Sequence, residues 1–595
     1  MTLLVGRRAA FRAASGIVAL FALSAPPLRG EGVPPARFED PERGAKLAAA
    51  FPEIERIFAE AVEKQHIPGA AMGIVVDGEL VFTKGFGARA LATTAPPDAD
   101  TAFRIASMTK SFTAVAILKL RDEGRLSLDD AVSKYVPELR GLAKATGDAP
   151  ELTIRQLLSH SEGFPEDNPW GDRQLSVSDA AFGRRLEAGI PFSNAPGVAF
   201  EYSNTGFAIL GRVVARVSGL RYRDYVERNV LLPLGMTSTK WEAASVPGNR
   251  LARGYRREGD APVEEPGLAD GAYGAMGGLY STVRDLARYT SFFLAAWPPR
   301  DGPETGPIRR SSAREMQQVA RFTGAAATRD TADGALRLSA GGYDYGLGTS
   351  QTCRFRLVVG HGGGLPGYGS VMRWLPEQGV AIVALGNLTY AGWGRPAYAA
   401  LEALRRTGAL KPRVPQPSAA LLAAQSGVNK LVLEAWSDAV ADGLSADNLF
   451  LDTPKDARKT AFAELRAKHG ACRPAGPIEA ENALRGAWKL ACDHGSIRVA
   501  ITLAPTMPPR VQHLAATGAL PLSEAFARAA DGLATPAAWG PCTRGEVLQG
   551  DGEASAVVRF DCAQGRLDAD MAFDAKAGRL TSSKLTPAED DTCVP

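Results

Sequence analysis

Apolar side chains at Phe51, Ile54, Ile57, Phe58, Ala61 and Val62 recur at helical spacing, and Pro68-Gly69 closes the run. The period then changes. Ala71 to Val76 is a continuous apolar stretch, Asp77-Gly78 is a tight-turn pair, and Leu80-Val81-Phe82 resumes the apolar run, which predicts a β-hairpin. From about 100 to 295 the pattern is mostly helical. Residues 298–340 carry little periodicity and many Gly, Pro, Thr and Arg, so a surface excursion is predicted there. Strands are predicted again over Arg354 to Val359, Ser370 to Leu375 and Val380 to Leu385, followed by a helix near 395–406. The last two strands are joined by the turn composition Pro376-Glu377-Gln378-Gly379. Both ends of this region supply strands and its middle supplies helices. The pattern predicts an α/β (α+β) fold, one antiparallel sheet flanked by helices with an all-helical insertion.

A chain of 595 residues exceeds what one core usually serves. Residues 40–408 make the first predicted domain, and the Pro-rich stretch Lys411 to Pro417, within 409–418, reads as a linker. Beyond it, 419–595 is predicted as a C-terminal domain, helical to about 470 and then β from Cys472. Alternating runs such as Ile497-Arg498-Val499-Ala500-Ile501 and Val557-Val558-Arg559-Phe560 carry the strand signal. No catalytic constellation is visible in this second domain.

The first thirty residues change the picture of where the protein works. Arg7, Arg8 and Arg12 form a positive region, Ala13 to Leu23 is apolar, and the small residues Ser24 and Ala25 precede Pro26-Pro27. This reads as a cleaved signal peptide over 1–30, too short to span a bilayer, and predicts an exported, periplasmic or secreted protein with no transmembrane segment in the mature chain. The six cysteines agree. Cys472 and Cys492 are twenty apart, as are Cys542 and Cys562, and there is no C-x-x-C, so two local disulfides are expected rather than a zinc or redox motif. Cys353 and Cys593 are left unassigned. Net charge is only +3, from 68 basic and 65 acidic side chains, which argues against nucleic acid or an acidic membrane as partner.

Candidate chemistry centres on Ser107-Met108-Thr109-Lys110, which opens an apolar helix that Gly124 closes. Positions i and i+3 share a helix face, so Ser107 and Lys110 meet without help from distant chain. Phe103, Ile105, Phe112 and Val115 surround them and desolvate the ammonium, which moves a lysine from about 10.4 toward the range of a working base. A serine at a helix start also aims backbone N–H groups at a developing oxyanion. By itself the pair is equally compatible with a capping serine and a solvated lysine. Two further motifs bear on the choice. Tyr202-Ser203-Asn204 precedes the helical run from Thr205, where Tyr202 is suited to relay a proton and Asn204 to hold a substrate carbonyl, or where Asn204 caps and Tyr202 packs. Val359-Gly360-His361-Gly362-Gly363-Gly364 ends a predicted strand, where glycines admit a substrate backbone or form a plain turn.

These three elements, in this order, resemble the penicillin-recognising serine hydrolases. The nearest branch is that of class C β-lactamases, serine D-alanyl-D-alanine carboxypeptidases and their esterase and D-aminopeptidase relatives. Leu152 to Gly163, Pro233 to Thr239 and Met276 to Thr282 resemble the same family, and the likeness covers about residues 50–405. The resemblance implies that Ser107 forms an acyl-enzyme, that Lys110 takes its proton in concert with Tyr202, and that the oxyanion lies between the N–H groups of Ser107 and Gly364. Asn204, His361 and Gly363 would line the substrate, a small molecule or a peptide, with no metal and no cofactor. Substrate identity and oligomeric state stay open. Three functions remain: an acyl hydrolase on esters or D-amino-acid peptides, a true β-lactamase, and a penicillin-binding sensor or scaffold with little turnover. Two departures stand out. His361 replaces the usual lysine, so a β-lactam carboxylate loses a permanent cation, and its binding is expected to improve as pH falls through an ordinary imidazole titration. Glu162 stands where the family usually has serine.

Overall fold

The computed structural model describes residues 34–588, apart from Pro169, 330–335 and Gln564. The predicted signal peptide and Cys593 lie outside the described residues. Helix α1 (Phe51–Gln65) leads into β1 (Gly69–Val76) and β2 (Glu79–Gly87), joined at Asp77-Gly78 with φ of 54° and 92°. Positive φ at both central positions is what a two-residue hairpin needs, and Asp-Gly tolerates it. Helices α2 (Thr109–Asp122), α3 (Asn204–Ser218) and α4 (Val283–Leu294) follow, then β3 (Arg321–Arg329), β4 (Leu336–Tyr343), β5 (Gly348–Thr352), β6 (Val358–Leu365), β7 (Tyr368–Leu375), β8 (Val380–Gly386) and helix α5 (Gly394–Arg406). Among the described residues the eight strands form one antiparallel sheet in the order β2-β1-β8-β7-β6-β5-β4-β3.

Alternation along the central strands decides which helices cover which face. On β8, Val380, Ile382 and Ala384 point to one side and pack with Phe58 of α1 and Leu401 and Leu404 of α5. Ala381, Val383 and Leu385 point to the other, against the core that holds Phe112, Val115, Leu210 and Phe293 from α2, α3 and α4. Helix α2 is buried on nearly every side, from Thr109 to Leu118 without a break. A helix enclosed in this way has little freedom to shift, so a side chain at its N-terminus is held firmly.

Two sequence expectations need correction. Residues 298–340 are not a plain excursion: Arg310–Glu315 is helical and β3 pairs with β4, extending the sheet. Strand β3 is exposed at nearly every position, so it carries no apolar alternation to read. The strand expected over Arg354 to Val359 instead begins at Val358 and runs through His361 and the three glycines to Leu365. Glycine weakens strand propensity, but Ile105 and Ala106 leave no room for a side chain at Gly363, nor does Tyr390 at Gly364. The insertion between β2 and β3 is helical apart from two short strand pairs, Phe103–Arg104 with Tyr280–Ser281 and Tyr255–Glu258 with Ala261–Glu264. The Pro-rich stretch after α5 is docked, with Val414 bridged to Arg37 and Arg413 donating to the carbonyls of Trp297 and Pro376.

The C-terminal part begins with helices that include Ala419–Leu433 and Lys455–His469 and continues as a second sheet of nine strands among the described residues. Its strands fall into two groups, 472–519 and 542–587, which pair only at Ala519 and Gly550. Each group has its own apolar core, one around Trp488 and Val499, the other around Phe526 and Val558. Each is also closed by its own disulfide, Cys472–Cys492 and Cys542–Cys562, both joining directly opposite residues of paired strands. Both disulfides expected from the spacing are present, and Cys353 is disulfide-bonded as well. A loop of twenty residues is worth about 3 kcal/mol in the chain-entropy account. Cys542→Ser with Cys562→Ser should therefore lower the urea midpoint of the C-terminal part; an unchanged midpoint would show that the bond constrains nothing. No helix among the described residues is long and apolar enough to cross a membrane.

Candidate active site

Ser107 lies in the single turn Ala106–Met108 that opens α2, and it is 8% exposed. The residue before it, Ala106, has φ of 50°, a left-handed conformation that costs a residue with a Cβ and is kept only where neighbours enforce it. The enforcing neighbours are on β6 and β7. The Ser370 hydroxyl donates to the Ile105 carbonyl at 2.8 Å, and the Gly363 backbone lies against Ala106. Strand β6 pairs with β5 only over Val358–Gly360, so from His361 onward its free edge faces the Ser107 turn. A Cβ on Gly363 would fall 2.2 Å from the Ile105 carbonyl oxygen and 2.3 Å from Ser370 Oγ. Gly363→Ala is thus expected to displace the Ser107 turn and lower kcat/KM at least about a hundredfold, since small misplacements at a reacting centre cost that much. An esterase assay within threefold of the wild type would show that the strand yields instead.

The spacing of Ser107 and Lys110 has its expected result. Lys110 Nζ donates to Ser107 Oγ at 3.1 Å, to Asn204 Oδ1 at 2.7 Å and to the Met276 carbonyl at 3.0 Å. All three acceptors are neutral. Burial of the amine pushes its pKa down to about 7, against the pull of the Asp172 and Asp167 charges. Tyr202 lies alongside, its ring centroid 4.7 Å from Nζ, with its hydroxyl next to that of Ser107. Burial holds the Tyr202 phenol protonated well above the ordinary tyrosine range.

Asn204 does not cap α3. Ser203 does, accepting from the Gly206 N–H, which frees the Asn204 side chain to bridge Lys110 and Asn168 through its two ends. Asp167 takes the next two amides of the helix, from Asn204 at 2.7 Å and Thr205 at 2.9 Å. Asn204 therefore arrives with both polar ends engaged.

His361 sits on β6 with Nδ1 donating to the Gly362 carbonyl and Nε2 accepting from the Tyr343 hydroxyl at 3.0 Å. Burial, helped by the Lys110 charge, pushes its pKa down to about 4. This corrects the expectation of an ordinary imidazole titration: over the range where the protein would be assayed, His361 is neutral. Gly364 is covered by the ring of Tyr390, whose Cδ1 would stand 2.4 Å from a Cβ at that position.

Sequence reasoning left several neighbours unseen. His160 is fully buried, accepts from the Ser203 N–H and stacks at 4.3 Å on Tyr202; burial holds it neutral. Glu162, the residue that departs from the family pattern, is fully buried, and neither carboxyl oxygen has a hydrogen-bond partner among the described residues. Burial keeps it protonated. It fits only because residue 206 is glycine, where a Cβ would lie 2.2 Å from Glu162 Oε1. Tyr343, Asp172 and Tyr390 come from loops or strands more than a hundred residues from Ser107 or carry no motif, and nothing local in the sequence marks them.

A left-handed residue just before a serine at a buried helix start, a buried lysine on that serine's hydroxyl and a glycine strand beside it come together at one point of the fold. The family model described as Beta-lactamase matches residues 54–406, more than half of the chain, and the protein belongs to that family. The "Protein flp" of Staphylococcus aureus (strain COL) is 36% identical over 212 residues, covering 36% of this chain and 42% of that protein. "Beta-lactamase-like protein 2" of Dictyostelium discoideum is 35% identical over 262 residues, covering 42% of this chain and 46% of that protein. The chain thus spans less than half the length of these curated relatives. Among solved structures, an octameric penicillin-binding protein homologue from Pyrococcus abyssi has a TM-score of 0.50 at 21% identity, covering 88% of this chain and 96% of its own, a likeness of fold.

Proposed function

We propose that the protein is a serine hydrolase that cleaves esters or amides through an acyl-serine at Ser107. The observation that carries this reading is the 3.1 Å contact between Lys110 Nζ and Ser107 Oγ, made by an amine whose other partners are neutral and whose burial lets it lose its proton near pH 7. Neutral Lys110 takes the Ser107 proton as Oγ attacks the substrate carbonyl. The N–H groups of Ser107 and Gly364 hold the oxyanion. The proton passes by way of the Tyr202 hydroxyl to the leaving alcohol or amine. Water then attacks the acyl carbon, Lys110 accepts its proton, and the acid departs with Ser107 restored. Tyr202 serves as a carrier and not as a tyrosinate base, because burial keeps its phenol protonated.

A neutral His361 favours substrates without a carboxylate beside the scissile bond, such as simple esters, over β-lactams and over D-alanyl-D-alanine peptides, whose terminal carboxylate stands next to the bond that breaks. The test is a panel on purified full-length protein: a short-chain nitrophenyl ester, a D-alanyl-D-alanine peptide and a cephalosporin. Turnover of the ester or the peptide is expected, and no turnover of any of the three would reject the hydrolase. Because His361 does not titrate between pH 5.5 and 8.5, the ratio of cephalosporin to ester kcat/KM should stay constant across that range. His361→Lys should raise the ratio about tenfold, the worth of one charge-assisted contact. A ratio that climbs as the pH falls toward 6 would mean that the histidine charges after all. Efficient cephalosporin turnover at pH 8 by the unmodified protein would make it a β-lactamase. Exported enzymes of this chemistry meet their substrates outside the cytoplasm, which suits the signal peptide expected from the sequence and the disulfides.

A further inference from the structure

A buried carboxylate stands beside the proposed base and has no part in the steps above. Asp172 lies in the single turn Gly171–Arg173 and is 2% exposed. The residue before it rests on Asn204: a Cβ on Gly171 would meet Asn204 Cβ at 2.8 Å and Nδ2 at 2.9 Å. Asn204 in turn accepts from Lys110. Asp172 Oδ2 accepts from the Tyr390 hydroxyl at 2.8 Å, and Oδ1 is buried with no hydrogen-bond partner among the described residues. Tyr390 holds a left-handed φ of 55° and lays its ring over Gly364. The turn that carries Asp172 thus rests on the asparagine that holds Lys110, and the Asp172 side chain holds the tyrosine that lies over Gly364.

We propose that Asp172 is a positioning residue, the counter-charge of the Lys110 ammonium and, through Tyr390, the brace that fixes Gly364. This rests on the reading of Lys110 as base. The other groups facing Lys110 do not supply the charge in the same way. His160 and His361 are kept neutral by burial, Tyr202 is kept protonated by it, and the turn that contributes Met276 offers only a carbonyl. Asp167 does bear on Lys110, but its two oxygens bind the Asn204 and Thr205 amides and the Thr205 hydroxyl at 2.8 Å. Asp172 has one neutral donor, Tyr390, and an oxygen left over. In an interior of low dielectric such a carboxylate acts on a nearby ammonium with little screening. Burial raises the pKa of Asp172 above the ordinary carboxylate value, and the Tyr390 hydrogen bond and the Lys110 charge work against that by favouring its charged form.

The test compares kcat/KM for a neutral nitrophenyl ester from pH 5 to 9 in full-length wild type, Asp172→Asn and Tyr390→Phe. Removing the carboxylate should let Lys110 lose its proton more readily, so the acid limb of Asp172→Asn should move down by about one pH unit. At pH 5.5 that variant would keep up to about tenfold more of its own plateau rate than the wild type keeps. Tyr390→Phe removes the brace and only part of what keeps Asp172 charged, so its plateau should fall and its limb should move less than that of Asp172→Asn. If Asp172→Asn lowers the plateau and leaves the limb unmoved, the residue is merely structural and the proposal is overturned. If the wild type shows no acid limb, the reading of Lys110 as base fails first. Should Asp172→Asn not fold by circular dichroism, Asp172→Ser makes the same comparison with a smaller neutral side chain.

Discussion

Ser107→Ala is expected to abolish turnover and leave the fold intact. The hydroxyl is small, and the hydrogen bond it receives comes from Lys110, which keeps Asn204 Oδ1 and the Met276 carbonyl when Oγ is removed. The Tyr202 hydroxyl loses its neighbour, but Lys110 stays paired and no cavity of consequence opens, so thermal unfolding should shift little. The chemistry has no substitute. A nucleophile that works as a unit with its base typically costs about 10⁴- to 10⁶-fold in kcat when it is removed. A fluorophosphonate probe should label the wild type and not the variant, and intact mass should locate the adduct on the peptide that carries Ser107. A variant that keeps most of its esterase rate would dismiss Ser107 as nucleophile.

The next largest effect belongs to Lys110 and is visible in the pH profile. With its pKa at about 7, the ammonium form dominates below that value and has no lone pair for the Ser107 proton. For the wild type, kcat/KM should fall about tenfold for each pH unit below the limb and level off above it. Lys110→Ala should lose about 10²- to 10⁴-fold on the plateau and flatten the limb. Lys110→Arg should be as inactive, because guanidinium keeps its proton throughout. The same shift couples stability to pH. The unfolded chain binds the lysine proton up to about 10.5 and the folded chain only up to about 7, so the contribution of this group to stability rises with pH between the two values. An acid limb that persists in Lys110→Ala would assign the base to another residue.

Much of this geometry was legible because it is local. Ser107 meets Lys110 through the pitch of one helix, and Tyr202 and Asn204 reach the same point because α3 starts there. The hairpin of β1 and β2 was legible in Asp77-Gly78, and the two C-terminal disulfides in their spacing. What escaped depends on burial or on distant pairing. An imidazole on a glycine-rich strand reads as an ordinary titrating group until Tyr343 and the surrounding packing fix it neutral. Tyr390 and Asp172 are 218 residues apart, and neither carries a pattern. Strand β3 is solvated on both faces, so the rule that finds half-buried strands has nothing to find. Glu162 could be flagged as a departure, but only the glycine at 206 explains how a carboxyl fits there.

Among the described residues the two strand groups of the C-terminal sheet are paired at a single position, Ala519 with Gly550, beside which Leu520 N–H donates to the Gly550 carbonyl and Lys489 forms an exposed ion pair with Glu546 at 2.7 Å. Cooperativity between parts of a protein follows the surface they share, and a seam this narrow transmits little of it. The two groups are therefore expected to melt as separate units, each reporting the integrity of its own staple and core. In calorimetry this part of the chain should give a broadened or doubled endotherm whose total heat exceeds the van't Hoff value of a single transition. Hydrogen exchange should in turn sort the backbone amides of 472–519 and 542–587 into two classes with different opening free energies, although a single sheet spans both.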